Sequence, residues 1–200
     1  MTPMSTDLPA LFDFIRFSAL LRQVLRTNNA TPDRKESVAE HSWHLALMAW
    51  MLHSTFEQEF GVPISQERLI KMCLMHDLVE IVVGDVPAWM TAQRVEISGD
   101  EEVAAQEMFA RLPVDLQAEM LGLWHEFEAS ETLEAQIAKG IDRVNPALMR
   151  LLTEQGWSDM NGDVALLDRL QLPRVGFSAV LSELYESIKR EALEKGLLKP

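Results

Sequence analysis

The stretch from Ser65 to Pro87, SQERLIKMCLMHDLVEIVVGDVP, decides the fold. Ser65 has the form of a helix N-cap, and Leu69, Ile70, Met72, Cys73, Leu74, Met75, Leu78 and Val79 make a run apolar enough for a buried helix. Inside that run sits a His-Asp doublet, His76 and Asp77. Burying ionisable groups is costly unless something pairs with them, and a divalent cation takes both neutral imidazole and carboxylate as ligands. Neighbouring helical residues point about 100° apart, so the doublet converges on one ion only in the wedge between the two side chains. Glu80 follows one turn after His76, and Asp85 follows Gly84, where the helix is expected to have ended.

Outward from this stretch the chain reads as helices separated by polar loops. Leu8 to about Leu25 carries apolar residues at helical spacing, and the polar segment RTNNATPDRKE after it reads as a loop bearing Arg26, Arg34 and Lys35. Ser37 and Glu40 form a capping-box pattern, which puts His41 in the first turns of a helix running to about Phe60. Trp43 and Trp50 fall on one face of that helix and read as core or as a subunit contact.

Trp89 and Met90 suggest a short helical turn over a cleft mouth, and Ser98 with Glu101 suggests a second capping box opening a helix to about Leu112. Pro113 starts another helix, and a longer one from Glu131 contains Asp142 and then Pro146, which is expected to kink or break it near Asp142. A final helix is expected over roughly Pro173 to Lys195. No convincing strand emerges. The expectation is an all-α bundle of five to six core helices with short accessory helices, forming a single domain over residues 1–200.

Bulk properties narrow the function classes. Eighteen basic against 31 acidic residues leave a formal charge of −13, which argues against a nucleic-acid duplex as partner. It leaves room for a small phosphorylated substrate, because a bound cation and a few arginines reverse the field locally. The sole cysteine, Cys73, precludes an internal disulfide and reads as a core residue; with no bilayer-spanning stretch and no signal-peptide pattern, the expected location is cytoplasmic.

His41, the His76-Asp77 doublet and Asp142, taken together, have the order H…HD…D. With that signature the chain resembles the HD-domain metal-dependent phosphohydrolases. ESVAEHSW at 36–43, the run from His76 to Pro87 and the later Asp142 are similar to the 5′-deoxynucleotidase branch, over a span from Leu20 to about Arg150. The resemblance implies His41, His76, Asp77 and Asp142 as ligands of one divalent cation (Mn²⁺, Co²⁺, Fe²⁺ or Mg²⁺), with Glu80 and Asp85 as catalytic carboxylates or as ligands of a second ion. It implies that Asp85 positions the attacking water and contacts substrate. Arg26 corresponds to an arginine that grips the substrate phosphate, and Arg34 occupies a position that pairs with a scaffold carboxylate or with substrate. Thr27 stands where bacterial deoxynucleotidases carry an aromatic residue.

The activity implied is hydrolysis of (deoxy)nucleoside 5′-monophosphates to nucleoside and phosphate, by a homodimer built on the apolar stripes of the first and last helices. Three alternatives stand beside it. A phosphohydrolase of the same fold acting on another small phosphorylated metabolite shares every ligand. A di-iron oxygenase needs further histidines between the doublet and Asp142, where only His125 is present. A non-catalytic nucleotide-binding module usually lacks a ligand, and none is lacking here. His44 reads as a neighbour of the site, and His53 and His125 read as surface residues.

Overall fold

The computed structural model describes residues 7–86, 91–160 and 163–199. The architecture is helical: α1 (Leu8–Ser18), α2 (Val38–Phe60), α3 (Gln66–Met75), α4 (Glu80–Val83), α5 (Thr91–Phe109), α6 (Val114–Ala129), α7 (Leu133–Thr153), α8 (Val164–Val175) and α9 (Ala179–Glu194). Short 3₁₀ turns lie at Ala19–Gln23 and Trp157–Met160, and two strands, β1 (Leu25–Thr31) and β2 (Arg34–Ser37), form an antiparallel hairpin.

α7 is the element around which the others pack. It meets α2, α3, α6, α8, α9 and β1, and Ile137, Ile141, Val144 and Leu151 are buried along it. Gly140 lets α9 approach, since a Cβ at that position would collide with the buried Leu181 side chain. Pro146 does not interrupt this helix, which stays continuous from Leu133 to Thr153, contrary to the expected break. The proline leaves the Asp142 carbonyl without its helical donor, a local defect that the packing on all sides tolerates.

α2 begins as the sequence indicates. The Ser37 hydroxyl accepts from Glu40 N at 3.3 Å, the Glu40 carboxylate accepts from Ser37 N at 2.9 Å, and Gly61 closes the far end at φ 66°. Arg34 holds the same carboxylate through two hydrogen bonds of 2.7 and 2.9 Å, so this arginine serves the scaffold. α3 begins at the N-cap Ser65 and ends at Met75, and residues 76–79 make a turn before α4. The His-Asp doublet thus lies at the end of a helix and not in its interior.

Further expectations are corrected. Residues 25–37 form the hairpin rather than a loop, and α1 passes into a 3₁₀ turn before Leu25. Its strands carry no apolar alternation. They are held by polar contacts: Asn28, 5% exposed, donates to the Pro146 carbonyl at 3.3 Å and accepts from Arg150 Nε at 3.1 Å. α5 runs through Ser98 and Gly99, so no helix opens there; Trp89 and Met90 lie outside the described residues.

The expected last helix is two helices. α8 ends at Val175, and Ser178 caps α9 by accepting from Leu181 N at 3.2 Å. Glu59 of α2 adds a tertiary cap, accepting from Ser178 Oγ at 2.8 Å and from Ala179 N. The apolar stripe of α9 (Leu181, Tyr185, Ile188) is buried in its own core and is not a subunit surface. Trp43 and Trp50 are exposed, and His53 is half-buried with its ring on the Ile64 carbonyl at 2.8 Å.

Ser37→Ala removes the hydroxyl half of the α2 cap. The expected loss is about 1 kcal/mol, measured as a lowered midpoint of urea unfolding with an unchanged slope.

Candidate metal centre

Three helices bring the four expected ligands together. His41 comes from the second turn of α2, His76 and Asp77 from the turn after α3, and Asp142 from the middle of α7. His41 Nε2 lies 3.0 Å from Asp142 Oδ1 and 3.9 Å from Asp77 Oδ2; His76 Nε2 lies 3.1 Å from Asp77 Oδ2 and 3.9 Å from Asp142 Oδ1. Ligand atoms of His41, His76 and Asp77 all fall within 4.8 Å of one another. Both imidazoles are buried and both carboxylates are partly open.

The outer nitrogens of the two rings determine what the inner ones do. His76 Nδ1 is 3.1 Å from the Cys73 carbonyl, which only accepts, so the proton of the neutral ring sits on Nδ1. His41 Nδ1 is 3.0 Å from Asn145 Oδ1, while Asn145 Nδ2 faces His44 Nδ1 at 2.8 Å and Met48 Sδ at 3.6 Å. With the Asn145 amide so assigned, His41 is also protonated on Nδ1. In this tautomer each ring turns a lone pair toward a carboxylate oxygen; in the other, His41 Nε2 donates to Asp142 Oδ1 at 3.0 Å. His76 Nε2 is buried and, among the described residues, has no hydrogen-bond partner, since its 3.1 Å approach to Asp77 is not aligned as a bond. Two lone pairs and two carboxylates facing one point repel unless a cation lies among them, and mixed N and O donors are a ligand set for divalent transition metals and Mg²⁺.

The electrostatics separate the two rings. Burial and the nearby Arg26 guanidinium push the His41 imidazole down, toward the neutral form that binds metal. Burial opposes the charged form of His76 as well, but the Asp77 and Asp142 carboxylates outweigh it and raise this ring. Burial alone would raise Asp77; His76 and Arg26 overcome it and hold the carboxyl at about 2. Asp142 is held below the usual carboxylate range by its neighbouring histidines, against the effect of its burial.

Around this centre lies a cavity of about 280 Å³, lined by the doublet, Asp142, Arg26, Glu80 and Asp85 among others. Arg26 stands on β1, not in a loop. Its guanidinium meets Asp77 at 3.1 Å, Glu36 at 3.4 Å and Asp85 at 4.0 Å. Glu80 sits at the start of α4 with Oε2 buried and unpartnered among the described residues. Burial, then the charges of Asp77 and Asp85, push its carboxyl well above the ordinary value. Gly84, at φ 80°, turns the chain between α4 and Asp85 in a conformation that a Cβ disfavours. Thr27 also lines the cavity.

Asn145, Asn28 and Glu36 were not singled out from the sequence. Asn145 was accessible to it, lying three residues after Asp142 and hence on the same face of α7. Glu36 and Asn28 sit on strands without a readable pattern. His44 is beside the site through Asn145, as expected. His125 is 47% exposed on Glu102 at 3.1 Å and does not line the cavity, so it is not a further ligand.

The HD domain family model matches residues 18–172, and the chain belongs to that family. The crystal structure of a predicted metal-dependent phosphohydrolase from Magnetospirillum magnetotacticum MS-1 is similar at a TM-score of 0.82 and 35% identity, covering 98% of this chain and 100% of that one. The 5′-deoxynucleotidase HDDC2 of Bos taurus is 30% identical over 135 residues, 66% of this chain and 62% of the relative. The 5′-deoxynucleotidase VV1113 of Vibrio vulnificus is 31% identical over 113 residues, 54% of this chain and 58% of that protein. The chain thus spans somewhat less than two thirds of the length of these two curated relatives.

Burial, with Glu40 and Asp85 nearby, pushes the Glu36 carboxyl up from 4.5 to about 7, although Arg26 draws it down. A folded-state value above the unfolded one means that the fold binds the proton more tightly. The stabilisation is therefore complete below pH 4.5 and is lost as pH rises through about 7. Glu36→Gln, which mimics the protonated form, is expected to flatten the fall in stability over that window, read from urea unfolding at a series of pH values.

Proposed function

We propose that this protein is a metal-dependent phosphomonoesterase that hydrolyses (deoxy)nucleoside 5′-monophosphates to nucleoside and phosphate. The observation that carries the reading is the meeting of two imidazole lone pairs and two carboxylates at one point in a cavity that also presents Arg26, Glu80 and Asp85. The nucleotidase relatives and the metal-dependent neighbour described above support it. His41, His76, Asp77 and Asp142 are the proposed ligands of a single divalent cation. Bound there, the ion supplies Lewis acidity, lowering the pKa of a water and offsetting charge on phosphoryl oxygens.

The remaining steps belong to side chains of the cavity. Arg26 offers guanidinium N–H groups to the phosphate oxygens, a charge-assisted contact suited to a planar fork. Asp85 positions the attacking water and accepts its proton as the new P–O bond forms. Glu80, whose burial pushes the carboxyl toward its protonated form, gives its proton to the 5′-oxygen as the ester bond breaks. The proton lost from water and the proton gained by the leaving nucleoside balance.

The same reading carries a cytoplasmic homodimer. Cys73 is buried and reduced, and no helix among the described residues is long and apolar enough to cross a membrane. Leu8, Phe12 and Ile15 form an exposed stripe on one face of α1, the apolar surface for such an association.

A panel of ribo- and deoxynucleoside monophosphates, each with Mn²⁺, Co²⁺ and Mg²⁺, tests the proposal through phosphate release. Release is expected to vanish with EDTA and in His76→Ala and Asp77→Ala. Failure of the metal-loaded protein to release phosphate from any nucleotide sinks the reading, and activity on another phosphorylated metabolite alone redirects it. Glu80→Gln is expected to lower kcat by at least about 100-fold. Mn²⁺ is expected to raise the Tm of the wild type and of Glu80→Gln, and to leave that of Asp142→Asn unchanged.

A further inference from the structure

One oxygen of the cavity is claimed twice. Asp77 Oδ2 lies 3.1 Å from His76 Nε2 and 3.9 Å from His41 Nε2, so it is the oxygen that this carboxylate offers to the proposed cation. The same atom accepts a hydrogen bond of 3.1 Å from Arg26 Nη1. The ion-pair contacts of Asp142, the other carboxylate, are with the two imidazoles alone among the described residues.

The Arg26 guanidinium is held by one edge and offers the other. Leu25 pairs with Ser37, so the next residues along the two strands, Arg26 and Glu36, are neighbours across the hairpin. Glu36, 2% exposed, lies 3.4 Å from Arg26 Nε and does not line the cavity. The opposite edge meets Asp77 at 3.1 Å and Asp85 at 4.0 Å, both of which do line it. A guanidinium and a divalent cation at one carboxylate oxygen oppose each other. Each takes electron density that the other needs, and the two positive charges repel where little water screens them.

We infer that Arg26 couples the metal site to the phosphate site: without substrate it competes with the cation for Asp77 Oδ2, and a phosphate that draws the guanidinium away leaves that oxygen to the cation. This rests on the nucleotidase reading for the phosphate, and it adds an order of events which that reading leaves open. The cation is held loosely until a phosphomonoester arrives. By linkage the effect is reciprocal, so the cation strengthens phosphate binding by the factor by which phosphate strengthens cation binding. Glu36 keeps the side chain seated in either state, because it holds the Nε edge from outside the cavity.

Mn²⁺ titration tests the inference, read by calorimetry or by loss of the free-ion EPR signal and so independent of turnover. Every arm carries Glu80→Gln to preserve the nucleotide. Without nucleotide, Arg26→Met is expected to bind Mn²⁺ about 10-fold more tightly than the protein that keeps Arg26, roughly the worth of one charge-assisted hydrogen bond. Saturating dAMP is expected to close most of that gap, because phosphate removes a competitor from one protein and finds none in the other. Equal affinities without nucleotide, tighter binding by the protein that keeps Arg26, or a gap that dAMP leaves unchanged each overturn the inference. If Arg26→Met fails to fold, Arg26→Gln, which keeps an N–H donor and loses the charge, carries the same expectation and the same refutation. If dAMP closes the gap but the wild type releases phosphate from no nucleotide, the nucleotidase reading falls and the coupling stands.

Discussion

Two imidazole lone pairs and two carboxylates share one partly buried point at the junction of α2, α3 and α7. Left to themselves they repel, and taking them out of water is costly as well. The surroundings are arranged to hold them there. The Cys73 carbonyl and the Asn145 amide occupy the outer nitrogens of the rings and so turn the basic nitrogens inward. Arg26 lies against Asp77, near enough to relieve part of the negative charge. What remains uncompensated is the charge and coordination that a cation provides.

The fold can be understood as the frame for that point. α7 carries Asp142 and Asn145 while contacting six other elements, so its position is determined from many sides at once. The hairpin is the least conventional part. Its strands bury Asn28 and Glu36 rather than apolar side chains, and they bring Arg26 over the ligands by polar contacts to α7. A helical bundle alone would place the four candidate ligands but leave the cavity without this guanidinium beside them. Placing a guanidinium on a strand bonded to α7 ties its position to the proposed metal site itself.

The acidic groups divide by environment more than by type. Asp77 and Asp142 are held ionised by histidines, with Arg26 helping at Asp77, while Glu80, a few residues away, is driven toward its protonated form by burial and by those same anions. Carboxyls pushed in opposite directions within one cavity are what acid-base chemistry requires. The −13 net charge is no obstacle to an anionic substrate, because the field that matters is set inside the cavity.

Much of this was legible in the residues. Helix periodicity, the Ser37–Glu40 cap and the Ser65 N-cap marked α2 and α3, and the order H…HD…D marked the ligands, because these signals are local and repeat at fixed spacing. The hairpin was not legible, since polar strands bonded to a distant helix show no alternation. Nor was the break between α8 and α9, where Ser178 takes its partner from Glu59 on α2. Pro146 was misleading for the same reason: a proline's cost is local, whereas the packing that keeps α7 continuous is not. The sequence by itself determined which side chains are candidate ligands and which segments coil. Only the tertiary structure decided that Arg26 faces the candidate ligands and that Glu80 is buried, because orientation and desolvation arise from contacts between residues far apart in the chain.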